Sequence, residues 1–165
     1  MRNNKIYILI TALAIVFLGS CKKDPEVGGT AVETMAGTWW VQSEEVGASY
    51  FQFATYNTSA NSTTEMWLDD LSSFWGSASL GRVAGKVNVD LTNQTFSVAK
   101  TTNTNTGYPV SFTVSNGKII KGGSIGPVSK AVTDSIYFEV EYTDDPGTVY
   151  HMSGYKRTKF SEDDH

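Results

Sequence analysis

The sequence predicts an all-β protein whose domain is a single antiparallel up-and-down β-barrel of about eight strands. Three observations support this prediction. Segments in which apolar and polar residues alternate recur along the chain, and turn signals separate them. No segment has the spacing of apolar residues that is typical of an amphipathic helix. Residues that favour strands, namely Thr, Val, Tyr, Phe and Trp, are frequent after Met35.

Residues 1–20 have the layout of a bacterial lipoprotein signal peptide. Arg2 and Lys5 precede an apolar run that is too short to span a bilayer comfortably. This run ends at Leu18-Gly19-Ser20-Cys21, which resembles the motif before a lipidated cysteine. Cys21 is the only cysteine in the chain, so its lipidation would leave no thiol for a disulfide, a zinc site or a nucleophile.

Residues 21–34 are expected to form a flexible tether between the lipid anchor and the domain. Pro25 and Gly28 favour an irregular backbone there, and almost no large side chain is available for burial. Lys22 follows the cysteine, and this favours the outer membrane, on either its periplasmic or its cell-surface face. The membrane is therefore one expected partner, through the lipid on Cys21.

The charge of the chain restricts its other partners. The formal net charge is −4 at pH 7, and it becomes more negative when Arg2 and Lys5 leave with the signal peptide. This balance argues against nucleic acid or an anionic surface as a partner. We expect no cofactor and no metal, and a monomeric protein.

The domain is expected to span residues 35–162, and its first strand contains two adjacent indoles. Neighbouring side chains of a strand point to opposite faces, so Trp39 and Trp40 cannot share one environment. We assign Trp39 to the interior and Trp40 to the outside, under the tether or a neighbouring loop. The first three strands are predicted at 37–45, 49–56 and 64–68, followed by one helical turn at 70–75.

The remaining strands follow from the same alternation. In the stretch 135–142, for example, Phe138 and Tyr142 fall on one face and two glutamates on the other. Asn116-Gly117 predicts a tight hairpin turn, and the run from Asp144 to Gly147 predicts another turn. These signals place the later strands at 86–91, 95–100, 110–114, 118–121, 135–142 and 148–157.

The start and the end of the domain resemble the lipocalin and calycin arrangement. Gly37-x-Trp39 opens the first strand, and Lys156 and Arg157 follow the last one. The resemblance implies that Trp39 closes one end of the barrel and that Arg157 or Lys156 packs across its ring. A cation over an indole contributes about 0.5–2 kcal/mol.

Longer strings extend the resemblance over nearly the whole mature chain. The stretches 56–75, 134–148 and 153–160, in this order after the lipidation motif, are similar to a family of small Gram-negative lipoproteins. That family is described as lipid-binding putative hydrolases with a calycin-like barrel. The resemblance implies a barrel that binds a lipid or another small apolar or amphipathic ligand.

Several aromatic residues could line such a ligand site. Inward faces of the predicted strands and the segment around Asp69-Asp70 supply the candidates, and a filled core is the alternative role for the same rings. Rings beside Asn and Asp also suit sugars, which leaves an accessory glycan-binding or structural lipoprotein as an alternative function. The ligand-binding candidates are Trp67, Trp75, Phe112, Phe138 and Tyr142.

His151 is the one candidate catalytic residue, for an alternative function as a lipid or ester hydrolase. His165 is the last residue and is expected to be frayed, so it leaves His151 as the only imidazole for a base. A histidine within a strand is more often structural than catalytic. The pairs Asp69-Asp70 and Asp144-Asp145 are likewise expected to cap turns rather than to bind a metal.

Overall fold

The structure of the protein, a computed structural model, describes residues 29–165. The signal peptide, Cys21 and most of the predicted tether lie outside these residues. The described part forms one closed antiparallel barrel. Its strands are β1 (Gly37–Ser43), β2 (Gly47–Asn57), β3 (Glu65–Asp69), β4 (Ala84–Asp90), β5 (Thr95–Thr102), β6 (Ser111–Ile125), β7 (Val132–Tyr142) and β8 (Tyr150–Lys156).

Each strand pairs with its neighbours in sequence, and β8 closes the barrel by pairing with β1, where Trp39 lies opposite Lys156. The predicted fold class, an all-β up-and-down barrel, is confirmed. Two short 3-10 helices, Glu33–Met35 and Ser161–Asp163, flank the barrel. Neither of these helices within residues 29–165 has the length and apolar character needed to span a bilayer.

The up-and-down order of the strands gives the barrel two distinct ends. The end at which β1 begins and β8 finishes is called the plug end, and the opposite end is called the mouth. The plug end carries the connections 58–64, 91–94 and 126–131. The mouth carries the connections 44–46, 70–83, 103–110 and 143–149.

Apolar side chains fill the interior of the barrel. Phe138 is fully buried near the middle, and its ring centroid lies 5.4 Å from that of Phe53 and 5.9 Å from that of Phe96. These rings contact a continuous core contributed by all the strands. The other large buried residues include Val41, Met66, Leu68, Val87, Phe112, Val114, Ile119, Ile136, Val140, Tyr142 and Met152.

Trp39 closes the plug end from the inside. Its Nε1 donates to Oγ1 of Thr55 at 2.8 Å, and that hydroxyl donates to the carbonyl oxygen of Met35 at 2.6 Å. Val32 and Met35 are both fully buried across this end. The packed domain therefore reaches back to Val32, into the segment that the sequence assigned to the tether.

Trp40 points outward, but the C-terminal segment covers it rather than the tether. Its Nε1 donates to Oδ1 of Asp164 at 3.2 Å, and the ring of His165 meets it edge-on at 5.6 Å. His165 also stacks on Tyr50 at 3.7 Å, and its Nε2 lies 2.7 Å from the hydroxyl of Tyr155. The expectation of a frayed His165 is wrong, because aromatic partners on the outer face fix the last residue.

The predicted hairpin turn at Asn116-Gly117 is also wrong. β6 runs through this dipeptide without a break, and the register with β7 shifts between Ser115 and Lys118. Asn116 does adopt a positive φ of 52°. A side chain on Gly117 would lie 2.3 Å from the carbonyl oxygen of Phe96. The local signal is satisfied by a β-bulge, because β5 and β7 both pair with β6 and keep the strand extended.

The helical turn predicted at 70–75 does not form. The chain instead follows an irregular path across the mouth, with positive φ values of 48° at Leu71 and 62° at Ser72. Asp70 accepts backbone hydrogen bonds within this loop, and side chains that bond to nearby amides compete with helix formation.

We expect Trp39→Ala to lower the free energy of unfolding by about 3–5 kcal/mol, because it deletes a fully buried indole. Trp40→Ala should cost clearly less, since it removes only contacts with the C-terminal segment. Urea denaturation of the two variants measures both losses. A larger loss at Trp40 would mean that the outer contacts, and not the plug, stabilise this end.

Candidate ligand-binding site at the mouth of the barrel

The connection 70–83, called the mouth loop, lies across the open end of the barrel. It inserts the ring of Phe74 among aromatic residues of β2 and β8, at centroid distances of 4.9 Å to Phe51 and 5.3 Å to Tyr150. Trp75 stacks in parallel on Tyr142 at 4.2 Å. The mouth is therefore closed by rings that belong to a loop and not to the barrel wall.

A buried carboxylate holds the mouth loop in this shape. Asp70 is only 1% exposed, and it accepts backbone hydrogen bonds from Ser72 at 2.9 Å, Gly76 at 2.5 Å and Val83 at 2.8 Å. Burial raises the pKa of the Asp70 carboxyl, and the amide donors oppose that shift. A side chain on Gly76 would lie 2.3 Å from the carbonyl oxygen of Gly81, so the loop requires glycine there.

The neighbouring carboxylate fixes the base of the mouth loop. Asp69 is fully buried at the end of β3 and pairs with the guanidinium of Arg82. Its Oδ2 also accepts a hydrogen bond from the Tyr56 hydroxyl at 2.9 Å, and its Oδ1 accepts one from the Leu71 amide at 3.0 Å. Asp69 and Asp70 thus act as structural acceptors.

Two side chains tie the mouth loop to the barrel at separate points. Ser73 Oγ donates to the carbonyl oxygen of Gln52 at 2.7 Å and accepts the Gln52 amide at 2.8 Å, which fastens the loop to β2. Trp75 Nε1 donates to Oδ1 of Asp144 at 3.0 Å, in the connection 143–149. These contacts are polar and partly accessible to water, so the loop can exchange them for hydrogen bonds to water.

The second acidic pair has the same role in the connection between β7 and β8. Asp144 also accepts a hydrogen bond from the Tyr108 hydroxyl, and Asp145 accepts one from Tyr150 at 2.7 Å. Burial and the bond to Asp145 raise the pKa of Tyr150 to about 12. Among residues 29–165, no group of three or more His, Cys, Asp or Glu side chains is arranged to hold a metal ion.

The structure brings together four of the five ligand-binding candidates. Phe112, Phe138 and Tyr142 lie in the core with at most 3% exposure, and Trp75 lies half-buried directly on Tyr142. Trp67 does not join them, because it is on the outer face of β3 between the inward residues Met66 and Leu68. Phe112 and Trp75 both contact Tyr142 at the mouth, whereas Phe138 lies deeper, beside Phe53 and Phe96.

Trp67 belongs to a separate groove on the outside of the barrel. Its ring lies 6.3 Å from that of Tyr56 in a stacked orientation, and the Lys86 ammonium lies 5.9 Å from its centroid. The groove has a volume of about 510 Å³ and is lined by Tyr56, Trp67, Arg82, Thr104 and Asn105. An aromatic face beside amide and guanidinium groups is a combination that suits a sugar ring.

His151 lies on the outer face of β8 beside the β1–β2 turn. Its Nδ1 is 2.5 Å from Oε1 of Glu45, and its backbone amide donates to Oε2 of Glu45 at 2.8 Å. Ser43 Oγ donates to the same carboxylate at 2.8 Å. A serine nucleophile needs its hydroxyl against the imidazole. Here Glu45 lies between Ser43 and His151, and this arrangement does not activate the serine.

Gly37 and Trp39 lie together at the plug end, but the cation that packs across the indole is Lys156 and not Arg157. The Lys156 ammonium lies 5.8 Å from the centroid of the Trp39 ring, and a side chain on Gly37 would lie 2.7 Å from its Cε. Arg157, one residue later, has its side chain on the other face, where its Nε donates to Oδ1 of Asp164 at 2.6 Å. Strand alternation therefore gives the position over the indole to Lys156.

Sequence reasoning did not identify several rings of the mouth. Phe51, Tyr108 and Tyr150 all contact the mouth loop or its partners. Their segments gave no motif, although the long connection between β3 and β4 with its adjacent Phe74 and Trp75 was a usable signal. An aromatic pair in a long loop that must cross a barrel end has few other places to be buried.

The sequence model of one protein family matches residues 24–161, and that family is described as lipid-binding putative hydrolase. The match includes every strand from β1 to β8 and the whole mouth loop. No curated protein is similar enough to the chain to be counted as a relative.

The pair of Glu45 and His151 should be visible in a pH titration. Partial burial would raise the pKa of Glu45, but hydrogen bonds from His151 and Ser43 lower it to about 2. The bond to Glu45 raises the pKa of His151 above its usual 6.5. Glu45→Gln should return the pKa of His151 towards 6.5, as measured by NMR of the imidazole protons.

The stability contribution of this pair has a defined pH window. The Glu45 part is present above pH 4.5 and is lost as the pH falls towards about 2. The His151 part is present below pH 6.5 and is lost as the pH rises through the raised pKa of the imidazole. An unchanged His151 pKa in Glu45→Gln would show that the two side chains do not interact in solution.

Proposed function

The chain belongs to the lipid-binding putative hydrolase family, and on that premise we propose that it is an outer-membrane lipoprotein whose barrel takes up a lipid or a similar amphipathic molecule through its mouth. The ligand displaces Phe74 and Trp75 and binds against the rings that they cover. Binding, without covalent chemistry, is the activity. Cys21 carries the acyl chains that hold the protein on the membrane.

The observation that carries this proposal is the position of Phe74. Its ring occupies the upper part of the barrel, with Phe53 at 6.0 Å and Tyr142 at 6.3 Å. An acyl chain in the same place would contact the same apolar wall, and each buried methylene contributes about 0.8 kcal/mol. The loop thus fills the ligand space with a side chain of matching chemistry when no ligand is bound.

The mouth loop has the properties of a segment that can leave. Ser73 and Trp75 make its outer contacts with the barrel, and these contacts are hydrogen bonds that water can replace. Leu71 and Ser72 both have positive φ values, a conformation that costs non-glycine residues about 1–3 kcal/mol each. An opening that unfolds this turn breaks the hydrogen bonds to Asp70 but releases the strain. Release of the strain offsets part of the cost of opening.

A saccharide is the second candidate ligand, and the groove beside Trp67 is the observation that favours it. The groove is outside the barrel, so it does not compete with the mouth for space.

The hydrolase alternative has weaker support in the arrangement of side chains, because Ser43 donates to Glu45 and not to the imidazole of His151. Substitution of Trp67 or His151 therefore gives useful controls.

Phe74→Ala should strengthen the binding of an environment-sensitive fatty-acid probe about tenfold, or about 1.4 kcal/mol, because the ligand no longer has to displace a ring. Fluorescence titration of the purified protein measures this change. The matched controls Trp67→Ala and His151→Ala should bind the probe as the wild type does. Weaker binding in Phe74→Ala than in the controls would show that Phe74 contacts the ligand instead of covering its site.

Cys21→Ala should release the protein from the membrane fraction, because the acyl chains are its main attachment. Metabolic labelling with a fatty-acid analogue and fractionation of the cells measure the change. Label that persists in the variant would show that another residue carries the lipid.

A further inference from the structure

We infer that the plug end of the barrel rests on the bilayer that holds the Cys21 anchor, with the tip of the β6–β7 hairpin inserted in its surface. The mouth then points into the aqueous phase. This orientation rests on the lipid anchor of the proposed function. It follows from the path of the chain, the shape of the hairpin and the distribution of charge.

The chain enters the barrel from the plug end. The Ala31 amide donates to Oδ1 of Asn61 in the connection 58–64, and Gln94 Nε2 donates to Oγ1 of Thr34 beside the connection 91–94. An extended chain spans at most about 3.6 Å per residue, so the eight steps from Cys21 to Gly29 reach no further than about 29 Å. A lipid on Cys21 therefore keeps the plug end close to the bilayer.

The β6–β7 hairpin is longer than the strands that flank it. β5 pairs with β6 only as far as Lys118, and β8 pairs with β7 only from Ser135 onwards. Beyond these points the two strands pair with each other alone, and the last pair joins Ile125 to Val132. The hairpin is thus a two-stranded ribbon, and its connection 126–131 belongs to the plug end, from which the anchored segment enters.

The tip of this ribbon is apolar and exposed. Ile125 is 52% exposed, Val128 is 61% exposed and Val132 is 74% exposed. The tip is also held in place, because the amides of Val128 and Ser129 both donate to Oδ1 of Asp163 at 2.9 Å. A preformed apolar prominence loses little conformational freedom when it enters the headgroup region of a bilayer.

Phe160 is a further exposed apolar residue, on the C-terminal segment that binds the tip. It is 49% exposed and lies between Thr158 and Asp163, whose side chains are joined at 2.6 Å. Asp163 in turn binds the tip, so the Phe160 segment and the hairpin are fastened to one another. The apolar surface is therefore shared by two segments of the plug end.

Three lysines lie beside the apolar tip, where they could meet anionic headgroups. Lys121, Lys130 and Lys159 lie exposed on or next to the hairpin and the C-terminal segment, and none of them has a carboxylate partner within residues 29–165. The strands and connections at the mouth carry Glu44, Glu45, Glu141, Asp144 and Asp145, and the plug end also carries carboxylates, namely Glu33, Glu65, Asp90, Asp134 and Glu162. Anionic headgroups attract the lysines and repel the mouth.

The lysines beside the tip refine the conclusion drawn from the net charge of −4. The surface that we infer to face the bilayer carries Lys121, Lys130 and Lys159 beside an apolar tip, although Glu162 and Asp134 lie at the same end. The orientation also specifies how the ligand arrives. A mouth that faces away from the anchoring bilayer accepts a lipid from the aqueous phase, or from a carrier in it.

Single-cysteine labelling of the purified lipidated protein tests this orientation. The acylated Cys21 has no free thiol, so Val128→Cys and its matched control Val46→Cys, which is 50% exposed at the mouth, each provide a unique site for a polarity-sensitive fluorophore. The protein is reconstituted in vesicles of phosphatidylethanolamine and phosphatidylglycerol. Lipids brominated in the upper part of the acyl chain then serve as quenchers.

The label at position 128 should shift to the blue and lose at least about half of its emission to brominated lipid, since it lies in the interface. The label at position 46 should keep its emission. Quenching at position 46, or at neither position, would overturn the orientation. Labelling of the wild-type protein itself would reveal a free thiol on Cys21, and would overturn the lipid anchor rather than the contact surface.

A second variant tests the apolar tip directly. Val132→Asp, introduced together with Val128→Cys, should restore most of the emission in brominated vesicles, because a carboxylate beside the label opposes insertion. Val132 is 74% exposed, so this change leaves the core intact. Quenching that persists would show that the tip does not hold the plug end on the bilayer.

Discussion

The size of the barrel interior is the constraint on which the rest of the structure depends. A closed sheet of eight strands encloses just enough space for one packed set of side chains or for one small ligand. Phe53, Phe96 and Phe138 already take the lower part of that space. Only the region under the mouth loop could hold a ligand, and a ligand bound there would have to take the place of Phe74. The proposed uptake of a lipid is therefore an exchange of one apolar occupant for another.

The two ends of the barrel are closed by different means, and we expect them to differ in mobility. At the plug end, Trp39 is sealed by Thr55 and Met35 through hydrogen bonds that no water can reach. At the mouth, a loop that belongs to no strand covers the core, and its ties to the wall are polar and partly exposed. Opening is expected where the ties can be exchanged with water. The same asymmetry agrees with the proposed division into a membrane-facing end and a ligand-accepting end.

The carboxylates of this protein illustrate how acidic pairs can be structural. Asp70 satisfies backbone amides of the mouth loop, and Asp144 accepts hydrogen bonds from Trp75 and Tyr108. Glu45 similarly accepts from both Ser43 and His151. In each case the carboxylate completes a turn or joins two connections, so its charge is already compensated by donors. This leaves little basis for acid–base chemistry at these positions, and an apolar ligand needs none.

The sequence by itself determined the fold class. Apolar and polar residues alternate, and only an extended strand places alternate residues on one buried face. It also fixed the opposite directions of Trp39 and Trp40, since neighbouring side chains of a strand cannot share a face. Tertiary contacts decided the rest. Asn116-Gly117 became a bulge because strands pair on both sides of it, and the last residue, His165, is ordered by Tyr50. The site at the mouth depends on Phe74 meeting rings from distant strands, and no local pattern specifies which rings those are.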